Sequence, residues 1–252
     1  MKKAQLALYS QEYKSITYDT REEDPFALGI GLGCQGVIEI HINPFQDQIN
    51  QLVTVLEEHI QGNVAHTLSI CYAVDFQISL EEAAESHASK WAEDTFTEFL
   101  PAPMTVWLFG NQFDSHAFIQ QASLLSWRVN WVGILSKMKA NLPVNGRSSY
   151  EDFGTIKNSD YVVMMTHDFD RDVAFINQYL VGNTFQYVGI LGPTKRFDLL
   201  QKQINGKLVT DIASPIGLDI GAEGADEIAV AVVAEILAVQ RNRNGQRLKF
   251  RE

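Results

Sequence analysis

The chain has 252 residues, 46% hydrophobic and 20% charged, enough apolar material for one large globular domain or two small ones. A net charge of −11 and a pI near 5.0 argue against a general nucleic-acid or membrane-surface binder. Two cysteines, Cys34 and Cys71, are too few for a disulfide framework, and no apolar run suits a signal peptide or a membrane span, so a cytoplasmic location is expected.

The first thirty residues mix charges and turn formers, among them Asp19, Arg21, Glu22, Glu23, Asp24 and Pro25. A glycine-rich stretch, GIGLGCQG (Gly29 to Gly36), leads into an alternating strand, Val37 to Ile42, which Asn43-Pro44 ends. Helical spacing of Ile49, Leu52, Val53, Leu56 and Ile60 predicts a helix from Phe45 to Ile60, and Val64 to Phe76 reads as another strand. Glu81 to Glu98 fits either a helix or a loop and strand. Pro101 and Pro103 mark a domain boundary, giving units of 1–100 and 104–252.

Beyond that boundary the α/β alternation is plain. Strands are predicted at Thr105 to Phe109 and Arg128 to Leu135, with a helix at Ser115 to Leu125 between them. A loop with Pro143 and Gly146 leads to a strand (Tyr161 to Met165), a polar elbow (Thr166 to Asp172), a helix (about Val173 to Val181) and a further strand (Gln186 to Leu191). That is a βαβ unit, which crosses over right-handed between parallel strands. Helices at Phe197 to Ile204 and Ala225 to Val239 complete the pattern. The fold class is therefore α/β: a C-terminal Rossmann-like parallel sheet behind a smaller N-terminal α+β domain.

Ligands of such sheets sit beyond the carboxyl ends of the strands, which is where the polar elbows fall. After Phe109 the turn reads Gly110-Asn111-Gln112-Phe113-Asp114-Ser115, keeping only the first glycine of G-x-G-x-x-G, and the acid expected after the next strand is replaced by Gly133. Both departures argue against ordinary NAD binding. In THDFDRD, Thr166, Asp168 and Asp170 are good helix caps, while His167 and an aspartate suit a ligand-facing role. Three carboxylates and a histidine could hold a hard cation, although their spacing is not diagnostic. In GPTKR, Gly192 and Thr194 open a helix where Lys195 and Arg196 could cradle an anion. Glycines around Cys34 suit an exposed thiol, whereas Cys71 reads as a small core residue. Asp219, between Gly217 and Gly221, caps or binds. Glu235, in the apolar stretch AVAVVAEILAV, sits at a seam or is paired in the interior. So apolar a helix fits a core or a dimer interface.

GLGCQGVIEIHINPF, SWRV, VVMMTHDFDRD, YVGILGPTKR and PIGLDIGA with EIAVAVVAEILAV occur in this order over most of residues 16 to 240. Together they resemble the XdhC/CoxI family, maturation factors of molybdenum hydroxylases such as xanthine dehydrogenase. The resemblance implies a protein that binds molybdenum cofactor (molybdopterin), assists its sulfuration or insertion into a hydroxylase client, and is often a homodimer, with a cysteine desulfurase as a further partner. It places family motif positions at Cys34, His167, Asp168, Gly192, Arg196 and Asp219, beside the turn at Gly110. The family usually has a longer N-terminal region, so residues 1–100 are expected to be a partial N-terminal domain. An accessory factor rather than an enzyme is expected. The competing readings are a nucleotide-binding oxidoreductase-like protein and a scaffold that binds only protein partners. Two cysteines cannot ligate a four-cysteine cluster, so the chain is not expected to be the hydroxylase itself.

Overall fold

The structure is a computed structural model and describes residues 2–19, 36–62, 64–73 and 75–250. The chain divides into two compact units, Met1–Ala102 and Pro103–Glu252.

In the first unit α1 (Lys2–Ser10) precedes β1 (Lys14–Asp19), which pairs antiparallel with β2 (Val37–Ile42). Neither α1 nor β1 was legible in the sequence, because their apolar residues are few and largely exposed, Leu6, Leu8 and Tyr9 included. Helix α2 (Gln46–Gln61) follows the expected spacing. The run predicted as one strand to Phe76 instead ends early and turns back: β3 (His66–Cys71) pairs antiparallel with β4 (Gln77–Glu82). The ambiguous acidic stretch supplies β5 (Lys90–Ala92) and β6 (Thr95–Leu100), completing a sheet of order β4-β3-β6-β5. An aromatic cluster packs this unit, with His41 lying 4.3 Å from Tyr72 and 5.1 Å from Trp91, centroid to centroid. Cys71 is a half-buried free thiol on β3 rather than a fully buried core residue.

The second unit alternates strand and helix. In chain order it contains β7 (Thr105–Phe109), α3 (Phe113–Leu124), β8 (Arg128–Val132), β9 (Gly146–Ser148), β10 (Tyr161–Met164) and α4 (Phe169–Phe175). Then come β11 (Tyr187–Ile190), α5 (Thr194–Gln201), β12 (Ile212–Ala213) and α6 (Gly224–Gln240). All six strands run parallel in the order β12-β11-β10-β7-β8-β9, the doubly wound order of a Rossmann-like sheet. The central strands β7, β10 and β11 read as near-continuous apolar runs because both faces are covered. Val106, Leu108, Val129 and Trp131 pack under α3 and α6, while Trp107, Phe109, Val162 and Met164 pack under α4 and α5. The crossover helix starts four residues earlier than its apolar spacing suggested, capped by Asp168, and ends in a π turn, Ile176–Leu180.

Helix α6 buries Ala229, Val232, Val233 and Ile236 and leaves Val230 and Val239 partly exposed. Glu235 is paired in the interior: its Oε2 accepts from the Tyr187 hydroxyl and, at 2.8 Å, from the Gly217 amide. Burial and this carboxylate hold the Tyr187 phenol well above its ordinary pKa. The residue thus ties the SPIGLDIG loop to β11. No described helix is long and apolar enough to cross a membrane.

Order reverses between β7 and β10, and there the two chains leaving the sheet nearly touch. The Met165 amide donates to Phe109 O at 2.7 Å, and the Gly110 amide donates to Val132 O at 3.0 Å. A Cβ on Gly110, where φ is +134°, would lie 2.1 Å from Met165 O. Replacing Gly110 by Ala is therefore expected to cost about 3 kcal/mol, a strained φ and a backbone clash together, read as a lower urea midpoint at unchanged m-value.

Candidate functional site

The cleft at this reversal is built from four strand ends. The turn after β7 supplies Asn111 and Gln112; the chain after β8 supplies Ile134 and Lys137; that after β9 supplies Ser149, Tyr150 and Glu151; that after β10 supplies Thr166, His167 and Asp168, with Arg171 from α4. These residues enclose three adjoining cavities of about 320, 250 and 110 Å³. The smallest is walled by the rings of Phe109, Phe153, Phe175 and Tyr179, which meet edge to face or tilted at centroid distances from 4.3 to 6.0 Å.

His167 stands in the left-handed region at φ +55°, uncommon for a side-chain-bearing residue and frequent at functional sites. Its Nε2 lies 2.9 Å from Asp114 Oδ2, in the first turn of α3, and its side chain is half exposed. Where a dinucleotide's pyrophosphate would approach a bare helix start, this chain therefore presents an Asp–His pair and the exposed side chains of Gln112 and Phe113. Gly133 has a local reason: the Asn111 side chain folds into the space, its Oδ1 accepting from the Ile134 amide at 2.6 Å, and a Cβ at 133 would lie 2.3 Å from that oxygen. The lost acid and the altered turn are one substitution in space.

Asp168 caps α4, accepting from the Arg171 amide at 3.1 Å, which holds its carboxyl below the usual range. Arg171 bends back over the Tyr150 ring, 3.9 Å from guanidinium carbon to centroid. Burial pushes the Tyr150 phenol up to about 12.

The GPTKR turn lies after β11, and its two cations differ. Lys195 is exposed at the start of α5. Arg196 reaches back to the crossover and donates to Asp172 Oδ2 at 2.6 Å, while the Thr166 hydroxyl donates to Asp172 Oδ1. Asp172 is 1% exposed, so its burial pushes the carboxyl up against the pull of Thr166 and Arg196. Arg196 is thus committed to a buried partner, and an anion at this turn would meet Lys195 and the Thr194 end of α5. Gly192, at φ +144°, lies beside the Arg196 side chain. Asp219 is exposed and is not among the residues that line the cleft. Cys34 lies outside the described residues. The structure thus gathers His167 and Asp168 at one cleft, with Gly110 in the turn that carries the lining residues Asn111 and Gln112, and leaves Gly192, Thr194 and Lys195 at the next strand end. Sequence reasoning missed Tyr150, which sat in a stretch read only as a loop, and gave Arg171 no role. Among the described residues no three His, Cys, Asp or Glu side chains are grouped to hold a metal ion.

The parallel sheet, its strand order and the cleft at the reversal define a Rossmann-like binding domain. Residues 106–236 match the family described as the XdhC Rossmann domain, and the chain belongs to that family. It is 26% identical over 262 residues to a Bacillus subtilis (strain 168) protein named as a probable xanthine dehydrogenase subunit, covering 90% of this chain and 76% of that one. A shorter match, 30% over 95 residues, links 36% of this chain to 17% of the uncharacterised protein YqeB of Escherichia coli (strain K12). Among solved structures, one described as a xanthine dehydrogenase from Bacillus halodurans superposes with a TM-score of 0.74 at 22% identity, over 96% of this chain and 79% of that one, and so shares the fold.

The site generates two expected outcomes. Arg196→Ala leaves the Asp172 charge buried and unpaired and should cost about 3 kcal/mol in urea unfolding, whereas Lys195→Ala should stay within about 0.5 kcal/mol. His116 has both ring nitrogens buried without partners among the described residues, and burial lowers its pKa. Well above the ordinary histidine pKa of about 6.5 it is neutral folded and unfolded alike; as pH falls toward and below that value the unfolded state binds the proton first, so stability should decrease as pH decreases. A His116→Leu variant should show a shallower fall in thermal scans between about pH 7 and 5.

Proposed function

We propose that this chain is an accessory factor of a xanthine dehydrogenase-type molybdenum hydroxylase, binding molybdenum cofactor and assisting its sulfuration or insertion. The observation that carries the reading is membership of the XdhC family, together with a relative named as a probable xanthine dehydrogenase subunit. The cleft's make-up supports it. An aromatic-walled slot suits a flat bicyclic ring, and Arg171 and Lys137 offer charge for a phosphate beside it. When bound, the cofactor would supply the redox and sulfur chemistry at molybdenum, destined for the client. This chain's residues would bind and orient it: Arg171 and Lys137 at the phosphate, Phe109, Phe153 and Phe175 along the ring, and His167 toward the metal. The Asp–His pair and the side chains filling the glycine turn favour this ligand over NAD. Action in the cytoplasm as a homodimer, with a molybdenum hydroxylase client and a cysteine desulfurase as partners, belongs to the same proposal.

The test is anaerobic incubation of the purified chain with molybdenum cofactor, desalting, and pterin fluorescence after oxidation, with NADH run in parallel. The reading expects near-stoichiometric pterin retention and no retained NADH. Retention of NADH alone would contradict it and return the oxidoreductase reading; retention of neither would leave the protein-binding scaffold.

A further inference from the structure

The three cavities of the cleft have two residues in common. Tyr150 and Arg171 line all of them, as no other residue does. The pair is the wall shared by an aromatic-lined slot and two further chambers, one bordered by Ser136, Ser149 and Glu151 and the other by Gln112, His167 and Asp168. Taken singly, cavities of about 320, 250 and 110 Å³ lie at or below the ~300–1,000 Å³ typical of small-molecule sites; joined, they fall well inside it.

The wall is weakly fastened. The Arg171 guanidinium carbon sits 3.9 Å from the Tyr150 ring centroid, and its polar contact is one 3.4 Å approach of Nε to Asp168, whose carboxylate is half exposed. Its terminal N–H groups bond no described residue. By contrast Arg196, one strand away, is locked to buried Asp172 at 2.6 Å. The charges that face Arg171 across the cavities are Lys137, Asp168 and Glu151. A guanidinium with free N–H groups resting on an aromatic face is a recognition element held in reserve.

We infer that Tyr150 and Arg171 form a gate that selects a flat aromatic ligand carrying an anionic group. The ligand's ring takes the guanidinium's place on the Tyr150 face and extends into the Phe109–Phe153–Phe175 slot. The displaced Arg171 pairs with the anion, and the chambers become one site. Gln178, which lines the slot, offers its amide to the ring edge. The inference rests on the cleft being the ligand site, as proposed above, and adds which residues discriminate and by what chemistry.

Pterin-6-carboxylate and unsubstituted pterin, both fluorescent, serve as probes on the full chain, with Tyr150→Phe, Tyr150→Ala and Arg171→Ala alongside and each variant's Tm measured. The gate predicts that Arg171→Ala weakens pterin-6-carboxylate by about tenfold or more, the loss of a charge-assisted bond, while unsubstituted pterin changes little. Tyr150→Ala should weaken both probes and Tyr150→Phe neither, since the ring and not the hydroxyl does the stacking. In wild type, the Arg171 side-chain proton signals, shifted upfield by the Tyr150 ring, should move downfield as pterin-6-carboxylate is added. Equal dependence of both probes on Arg171, binding indifferent to Tyr150→Ala, or Arg171 signals that stay in place while the probe binds would each overturn the gate. In those cases retention of the whole cofactor would still stand on its own. Binding of neither probe would overturn the ligand class assigned here, again separately from cofactor retention.

Discussion

The close approach of two backbones at the β7–β10 reversal governs the second unit. Because Gly110 has no Cβ, the turn after β7 passes within contact of Met165 O, and the chain leaving β10 is pinned by the Met165 amide on Phe109 O. Trp131 Nε1 donates to Gly110 O at 2.6 Å from inside the core, so the next strand fixes the same turn. This junction orients the side chains beyond it. Asn111 turns toward β8, Asp114 toward His167, and Thr166 toward Asp172. The cleft opens where these three chains diverge.

A second layer of constraint lies in the crossover. Asp172 is buried in α4 and is satisfied from two directions, by Thr166 of its own elbow and by Arg196 of the next βα turn. A buried pair of this kind adds little net stability but penalises any arrangement that separates its members. It holds α5 in register with α4, and it withdraws Arg196 from solution chemistry. The adjacent Arg171 has the opposite character: it is held by one long contact to a half-exposed carboxylate and rests on a ring. Two arginines that look alike in the sequence differ in the partner each meets, a buried carboxylate for Arg196 and an aromatic face for Arg171.

The sheet was legible because its strands carry an unmistakable signal. Runs such as Val106–Phe109 and Tyr161–Met164 are hydrophobic and buried, and the helical spacing that follows each marks a crossover. The elbow THDFDRD and the turn at Gly110 were legible for the same reason, being polar breaks at strand ends. Other features depend on distances the sequence does not carry. The Arg196–Asp172 bond spans 24 positions, and nothing in GPTKR distinguishes the arginine that is tied from the lysine that is free. Tyr150 lies after the short strand β9, too brief to leave a pattern, so its place beside Arg171 emerges only once β8 and β9 are paired. In the first unit, α1 and β1 leave most of their side chains exposed, so no apolar period marks them. The apolar helix α6 concealed the reverse case, a carboxylate that looks out of place until Tyr187 and the Gly217 amide are brought to it.

In the proposed function the ligand is held at the β7–β10 cleft and not at the neighbouring turn after β11. The most direct measurement is a backbone amide NMR titration of the isotope-labelled chain with molybdenum cofactor under anaerobic conditions. Shifts should concentrate at Asn111, Ile134, Tyr150, Thr166, His167 and Arg171, with Thr194 and Lys195 little changed. Shifts centred on Thr194 and Lys195, with the cleft residues silent, would contradict it.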